Sequence, residues 1–290
     1  MPPRFSIVTP SFRQLDWLKL CAASVADQER VSIEHLVQDA GSGEALETWG
    51  VDWLQRTAAT GDEYAFRLIV EKDEGMYDAI NRGLRRGQGE ILAYLNCDEQ
   101  YLPGALAAVD RFFTEHPAID VAFGHAIVIG PQGEFVCHRK AILPGKMHTW
   151  VSGNLAILTC ATFFRRRVVQ ERGLLFNPQR CAIGDGEWVM RLIDEKISMA
   201  VLPGITSAFL DHGGNLMLSE RALREQRALI NSAPAWARLL RPGFVAQYRL
   251  RKLLHGAYRQ EPFDYAIYTQ ESPQQRVPFH VEQPSFRWVR

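Results

Sequence analysis

What this chain has little of narrows it first. Its 33 basic residues are matched by 33 acidic ones, so the formal net charge is zero. A partner selected by bulk charge, nucleic acid above all, is therefore not expected. The five cysteines, Cys21, Cys97, Cys137, Cys160 and Cys181, stand singly. An odd number without a CxxC pair argues against a disulfide framework and a zinc site, and fits a reducing, cytoplasmic setting. No stretch reaches the roughly 18 uninterrupted apolar residues of a membrane span. MPPRFSIVTPSF enters a strand at once and lacks the charged leader and long apolar run of a signal peptide. Glycine is missing from TPSFRQLD, the segment after the first strand. That absence speaks against a GxGxxG dinucleotide site and against the Gly-rich phosphate loop of a nucleotidyltransferase.

What is present is a large apolar fraction, 47% of 290 residues, enough for one large α/β domain or one domain plus appendages. The first half alternates between strand and helix patterns. Phe5 to Thr9 reads as a strand, and Leu18, Cys21, Ala22 and Val25 recur at helical spacing. EHLVQD at 34–39, FRLIVE at 66–71 and ILAYL at 91–95 read as further strands. Met76, Ile80 and Leu84 repeat every four residues, and a helix opened by Pro103 turns Leu106, Val109 and Phe113 inward. Such alternation predicts a mostly parallel, Rossmann-like central sheet with helices on both faces.

In a sheet of this kind the ligand crevice lies beyond the carboxyl ends of the strands. Four successive strand ends carry polar residues: Thr9-Pro10-Ser11, Asp39 with Gly41-Ser42, Asp73-Glu74-Gly75, and Asp98-Glu99. Any one alone reads as a cap or a turn. Four on one edge point to a site. Adjacent carboxylates repel each other and cost desolvation, so Asp98-Glu99 makes most sense beside a cation. Few, hard oxygen ligands favour Mg2+ or Mn2+. On alternating strand geometry only one of the two acids would ligate directly.

The segments FSIVTPSF, VQDAGSGE, KDEGMYDAINRGLRRGQGEILAYLNCDE and GDGEWVMRL resemble, in order and spacing, the inverting family 2 glycosyltransferases of GT-A fold, over about residues 4–215. The resemblance implies a nucleotide diphosphate sugar as donor and a glycan or lipid-linked sugar as acceptor. It places Thr9, Pro10 and Ser11 against the nucleobase and ribose, and Asp39 on the base, commonly uracil. Asp78 and Asn81, three apart on a helix, would face one pocket, with Asn81 on the nucleotide and Arg82 on a phosphate. Asp98 and Glu99 stand at the metal motif, for Mn2+ or Mg2+, and His212 near the metal and diphosphate. Asp185 matches the general base, with Glu187 the second choice. Asp185 also reads as the N-cap of a helix carrying Val189, Leu192 and Ile193, and His212 also reads as an ordinary structural histidine. CATFFRRRVV lacks the histidine that relatives often carry before Thr-Phe-Phe, and the other seven histidines show no site-like spacing.

The tail carries a different signal. Between Arg227 and Gln260 there are Arg227, Arg238, Arg241, Arg249, Arg251, Lys252 and Arg259 and no acid, interleaved with Trp236, Leu239, Leu240, Phe244, Leu253 and Leu254. This predicts a pair of amphipathic helices, broken at Pro242-Gly243, that packs on the domain or rests on an anionic bilayer at the inner membrane face. The expected division is a catalytic domain over 1–217, a basic helical extension over 218–260 and an extended arm over 261–290, which covers the domain or meets a second subunit. Against the transferase stand two alternatives, a sugar nucleotidyltransferase and an idle GT-A-like domain that binds a glycan or a partner. A binder has no need of a base opposite a metal, which disfavours the latter.

Overall fold

The alternation of strand β1 (Phe5–Ser11) explains how both faces of the sheet are filled. Phe5 and Ile7 point into one core with Cys21 and Val25, while Val8 points into the other with Ile80 and Leu84. The computed structural model describes residues 2–58, 63–214 and 219–288. Helix α1 (Leu15–Ala26) leads to β2 (Ile33–Asp39), α2 (Glu44–Ala58) to β3 (Tyr64–Val70), and α3 (Met76–Arg86) to β4 (Ile91–Tyr94). These four strands are parallel in the order β3-β2-β1-β4. The helical spacings hold: Leu18, Cys21, Ala22, Val25, Ile80 and Leu84 are all fully buried. Gly83 lets α3 close on β1, since a Cβ there would stand 2.3 Å from Val8 Cγ1.

The second half is less regular. It runs β5 (Gln100–Tyr101), α4 (Ala105–Glu115), β6 (Val121–Ile129), β7 (Phe135–Arg139), α5 (Lys146–Ser152), β8 (Thr162–Arg165), α6 (Arg167–Gln170), α7 (Gly184–Asp194) and β9 (Met199–Leu210). The sheet continues from β4 through β8, β6 and β9 to β5, with β7 on the side of β6. β8 is antiparallel to both β4 and β6, while β6 and β9 are parallel. β1 to β4, β6 and β9 therefore share one direction, which keeps the mostly parallel expectation and one common carboxyl edge. Pro103 does not open α4: Gly104 intervenes with a φ of +72°, and Ala105 begins the helix with its N–H on the Leu102 carbonyl.

The expected boundary at 217 falls among residues 215–218, outside the described residues. Beyond it the predicted helix pair is three helices, α8 (Glu220–Ser232), α9 (Ala235–Leu239) and α10 (Arg241–Leu254). Pro242 sits in the first turn of α10 and starts it rather than breaking it, because its missing N–H has no partner to lose there. The last segment is not simply an extended arm. It folds into an antiparallel pair, β10 (Phe263–Ile267) and β11 (Val277–Val281). Tyr265, Ile267 and Val281 share a core with Ile127, Ile129 and Leu210, so this segment packs against the β6–β9 part of the sheet. The close seating of α3 on β1 has a measurable consequence. Gly83→Val should lower stability by about 2 kcal/mol or more, read as a shift of the urea midpoint without a change in slope.

Candidate active site

The carboxyl edge of the sheet opens into a cleft of about 680 Å3. Pro10 and Ser11 at the end of β1, Asp73 and Gly75 after β3, and Asn96 and Asp98 after β4 form one side of its wall. Thr159, Asp185, Phe209, His212 and Trp288 also line it. The edge predicted from the strand ends is therefore the edge that carries the cleft.

The two adjacent acids part company here. They lie not on a strand but in a turn between β4 and β5, closed by the Glu99 N–H on the Asn96 carbonyl at 3.0 Å. Asp98 faces the cleft, with its Oδ2 3.7 Å from His212 Nε2. Glu99 is buried, and its Oε2 accepts the Asn96 backbone N–H at 2.8 Å. Burial raises the pKa of both acids, and the charge of Asp98 raises that of Glu99 further. His212 Nδ1 accepts the Gly214 N–H at 3.1 Å, which leaves the Nε2 edge turned toward Asp98.

Asp185 stands in the first turn of α7, not before it. Ile183 holds the N-cap position, and the Asp185 carboxylate accepts the Gly186 N–H at 2.8 Å. Burial raises its pKa to about 6, against the lowering pull of backbone N–H groups and the Tyr77 hydroxyl. Tyr77 accepts the Asp185 backbone N–H at 3.2 Å, stacks on Phe176 and packs so closely on Gly184 that a Cβ there would come within 2.6 Å of its ring. Glu187 is engaged elsewhere, by Arg180 at 2.7 Å and by Asn177. Burial works against its charge, but these partners win and its pKa is lowered.

The remaining sequence-predicted residues divide. Pro10 and Ser11 line the cleft, and the buried Ser11 hydroxyl finds no hydrogen-bond partner among the described residues. Asn96 Oδ1 and Glu99 Oε1 are orphaned in the same way. Polar atoms left unpaired around a cleft suit a place where a ligand or water supplies the missing bonds. Thr9 instead lies inside the sheet, its hydroxyl 2.9 Å from His35 Nε2. Asp39 is fully buried and accepts the Gly41 N–H, the Ser42 N–H and the Ser42 hydroxyl, holding the loop whose Ala40 forms part of the wall.

Asp78 and Asn81 do not share a pocket. Asn81 exchanges both amide bonds with the Phe176 backbone, at 2.8 and 2.9 Å, beneath the cleft. Asp78 accepts the Glu74 N–H and pairs with Arg82 at 2.7 Å, and Arg82 also reaches the Lys72 carbonyl. These groups brace residues 72–75, of which Lys72, Asp73 and Gly75 line the cleft. Sequence reasoning missed Tyr77, though it opens the quoted YDAINRG stretch, and it missed Phe209 and Trp288.

The family model described as Glycosyl transferase family 2 matches residues 6–173. The chain belongs to that family. A PGL/p-HBAD biosynthesis glycosyltransferase of Mycobacterium bovis is 31% identical over 129 residues, 43% of this chain and 48% of that protein. Glycosyltransferase AglE of Haloferax volcanii is 24% identical over 204 residues, 68% of this chain and 64% of its own length. The chain thus spans about half the length of the first of these curated relatives. In fold it is similar to S. aureus TarS 1-349, solved with UDP-GlcNAc, at a TM-score of 0.59 and 15% identity over 87% of this chain and 73% of that one. A second likeness, TM-score 0.54 at 16% identity over 90% and 77%, is to the mannosyltransferase PcManGT of Pyrobaculum calidifontis, solved with GDP-Man and Mn2+. The family match ends before α7, so Asp185 and His212 rest on the geometry of this chain.

Tyr77 helps hold the charge on Asp185, so removing its hydroxyl should raise the carboxyl pKa above about 6. Carbon-detected NMR of the aspartate carboxyls in Tyr77→Phe checks this; an unmoved Asp185 signal would contradict it.

Proposed function

We propose that this chain moves a sugar from a nucleotide diphosphate sugar, with a UDP-sugar the first choice, to a glycan or lipid-linked acceptor with inversion at the anomeric carbon. The observation that carries the reading is the meeting of Asp98 and Asp185 in one cleft, in different settings. Asp98 lies beside His212, and Asp185 is held apart at a helix start with its pKa raised. Two acids with separate environments suit two separate tasks. Two solved proteins of similar fold, one in complex with UDP-GlcNAc and one with GDP-Man and Mn2+, support the donor class.

Among the described residues no cluster of three or more His, Cys, Asp or Glu side chains is set to hold a metal ion. A sparse donor set fits Mn2+ or Mg2+, which keep positions for water and substrate phosphates. Asp98 would hold the ion, and His212 would join it on releasing Gly214. When bound, the ion supplies Lewis-acid neutralisation of the charge that grows on the leaving diphosphate. Glu99 supports the site from below by fixing the Asn96 backbone.

Asp185 takes the proton of the acceptor hydroxyl. With a pKa near 6 it is a stronger base than an exposed aspartate and still ionised at neutral pH. Because the ionised form is the working one, transfer should fall as pH drops through about 6. Asp185→Asn should lower kcat by about 100-fold or more while the nucleotide Kd stays within about twofold. Near wild-type turnover in this variant would remove Asp185 from the chemistry.

The helical extension supports contact with an anionic membrane. No helix among the described residues is long and apolar enough to cross one. α10 has no buried residue, and Trp236, Leu239, Leu240, Leu250, Leu253 and Leu254 are all more than half exposed, Leu239 at 81%. Seven basic residues surround them without an acid, which suits negatively charged headgroups. α10 is seated by Tyr248, stacked on His148 at 3.8 Å. In co-sedimentation with vesicles containing phosphatidylglycerol, replacing Leu239, Leu253 and Leu254 together by Ser should weaken binding at least about tenfold. Equal binding to neutral vesicles would contradict the idea, and self-association through this face would show instead as a dimer in sedimentation.

A further inference from the structure

Residues 282–288 return from β11 across β7, where the His138 N–H donates to the Ser285 carbonyl at 2.7 Å and the Phe286 ring meets Tyr258. This route ends with Trp288 in the wall of the cleft. Its indole N–H donates to Asp211, its ring stands 5.4 Å from Phe209 at 72°, and the Arg139 guanidinium lies over one face of the ring, 5.9 Å from its centroid. The one polar group of the side chain is thus spent on Asp211. Trp288 and Phe209 put aromatic rings in the wall of the same cleft that Asp98, Asp185 and His212 line.

We infer that Trp288, delivered by the C-terminal segment, is the platform on which the acceptor sugar stacks. The inference rests on the transferase reading above and assigns the acceptor side of that cleft. A pyranose has an apolar face of C–H groups and a rim of hydroxyls, so it is held by an aromatic plane with a few convergent polar groups. The side of the cleft follows from topology. Ser11, Ala40 and Asp73 belong to the ends of β1, β2 and β3, whereas Trp288 is fixed to β7 and to the end of β9 in the other half of the sheet. In an inverting displacement the acceptor enters opposite the leaving diphosphate, so with the nucleotide on the β1–β3 side the acceptor occupies the β9 side, next to Trp288. Trp288 positions the acceptor and takes no part in proton transfer.

The test titrates methyl β-galactoside, methyl β-glucoside and methyl α-rhamnoside into the full chain in the presence of UDP and Mn2+, followed by indole fluorescence and by calorimetry. The wild type should show saturable binding of at least one glycoside. Trp288→Ala should weaken it at least tenfold, Trp288→Phe should recover most of the loss, and the UDP Kd should stay within twofold in both. Unchanged glycoside affinity in Trp288→Ala, a parallel loss of UDP affinity, or no saturable glycoside binding by a wild type that binds UDP would each overturn the assignment. A wild type that binds no nucleotide would overturn the transferase reading and this assignment with it.

Discussion

The pairing of a two-residue strand with the end of a long one decides where Asp98 sits. β5 runs antiparallel to β9, with Gln100 opposite Ala208 and Tyr101 opposite Ser207. Continuing that register, the residue before Glu99 falls beside the residues that follow Phe209. The turn between β4 and β5 is therefore carried to the end of β9, where Asp98 meets His212. Without it, Asp98 would be one more polar residue at a strand end. With it, Asp98 faces a histidine more than one hundred residues away in sequence, and both line the same cleft.

Asp185 depends on a second long-range arrangement. Tyr77 at the start of α3, Phe176 and Trp188 form a continuous aromatic stack, and Asn81 locks the Phe176 backbone to α3. The stack fixes α7 against α3, and the Tyr77 hydroxyl meets the first turn of α7. The segment YDAINRG thus works largely as a scaffold. Its tyrosine and asparagine position the Asp185 carboxylate in the cleft, and its aspartate and arginine brace the loop over residues 72–75. Burial beside this stack also desolvates Asp185 and raises its pKa.

The parallel half of the fold was legible in the sequence because it rests on local signals: apolar periods of two and four, and turns rich in glycine and acid. The shared carboxyl edge followed from those alone, and with it the places of Ser11, Asp73 and Asp98. The antiparallel pairings were not legible, since β5 is only two residues long and a strand's partner and direction are set by tertiary packing rather than by its own apolar pattern. The fates of Thr9, Asp39 and Asn81 were hidden for another reason. A polar side chain at a strand end or on a helix can turn to ligand or to backbone, and only tertiary packing decides which. Trp288 gave no signal at all, because nothing local ties residue 288 to the end of β9.

The most direct test of the account is a calorimetric titration of UDP into the full chain with Mn2+, repeated after EDTA and with Asp98→Asn, with GDP as the control nucleotide. The account predicts UDP binding that requires the metal and is lost in the variant. Failure of UDP and GDP alike to bind, with or without metal, would contradict it and leave a domain that keeps the fold without the transferase site.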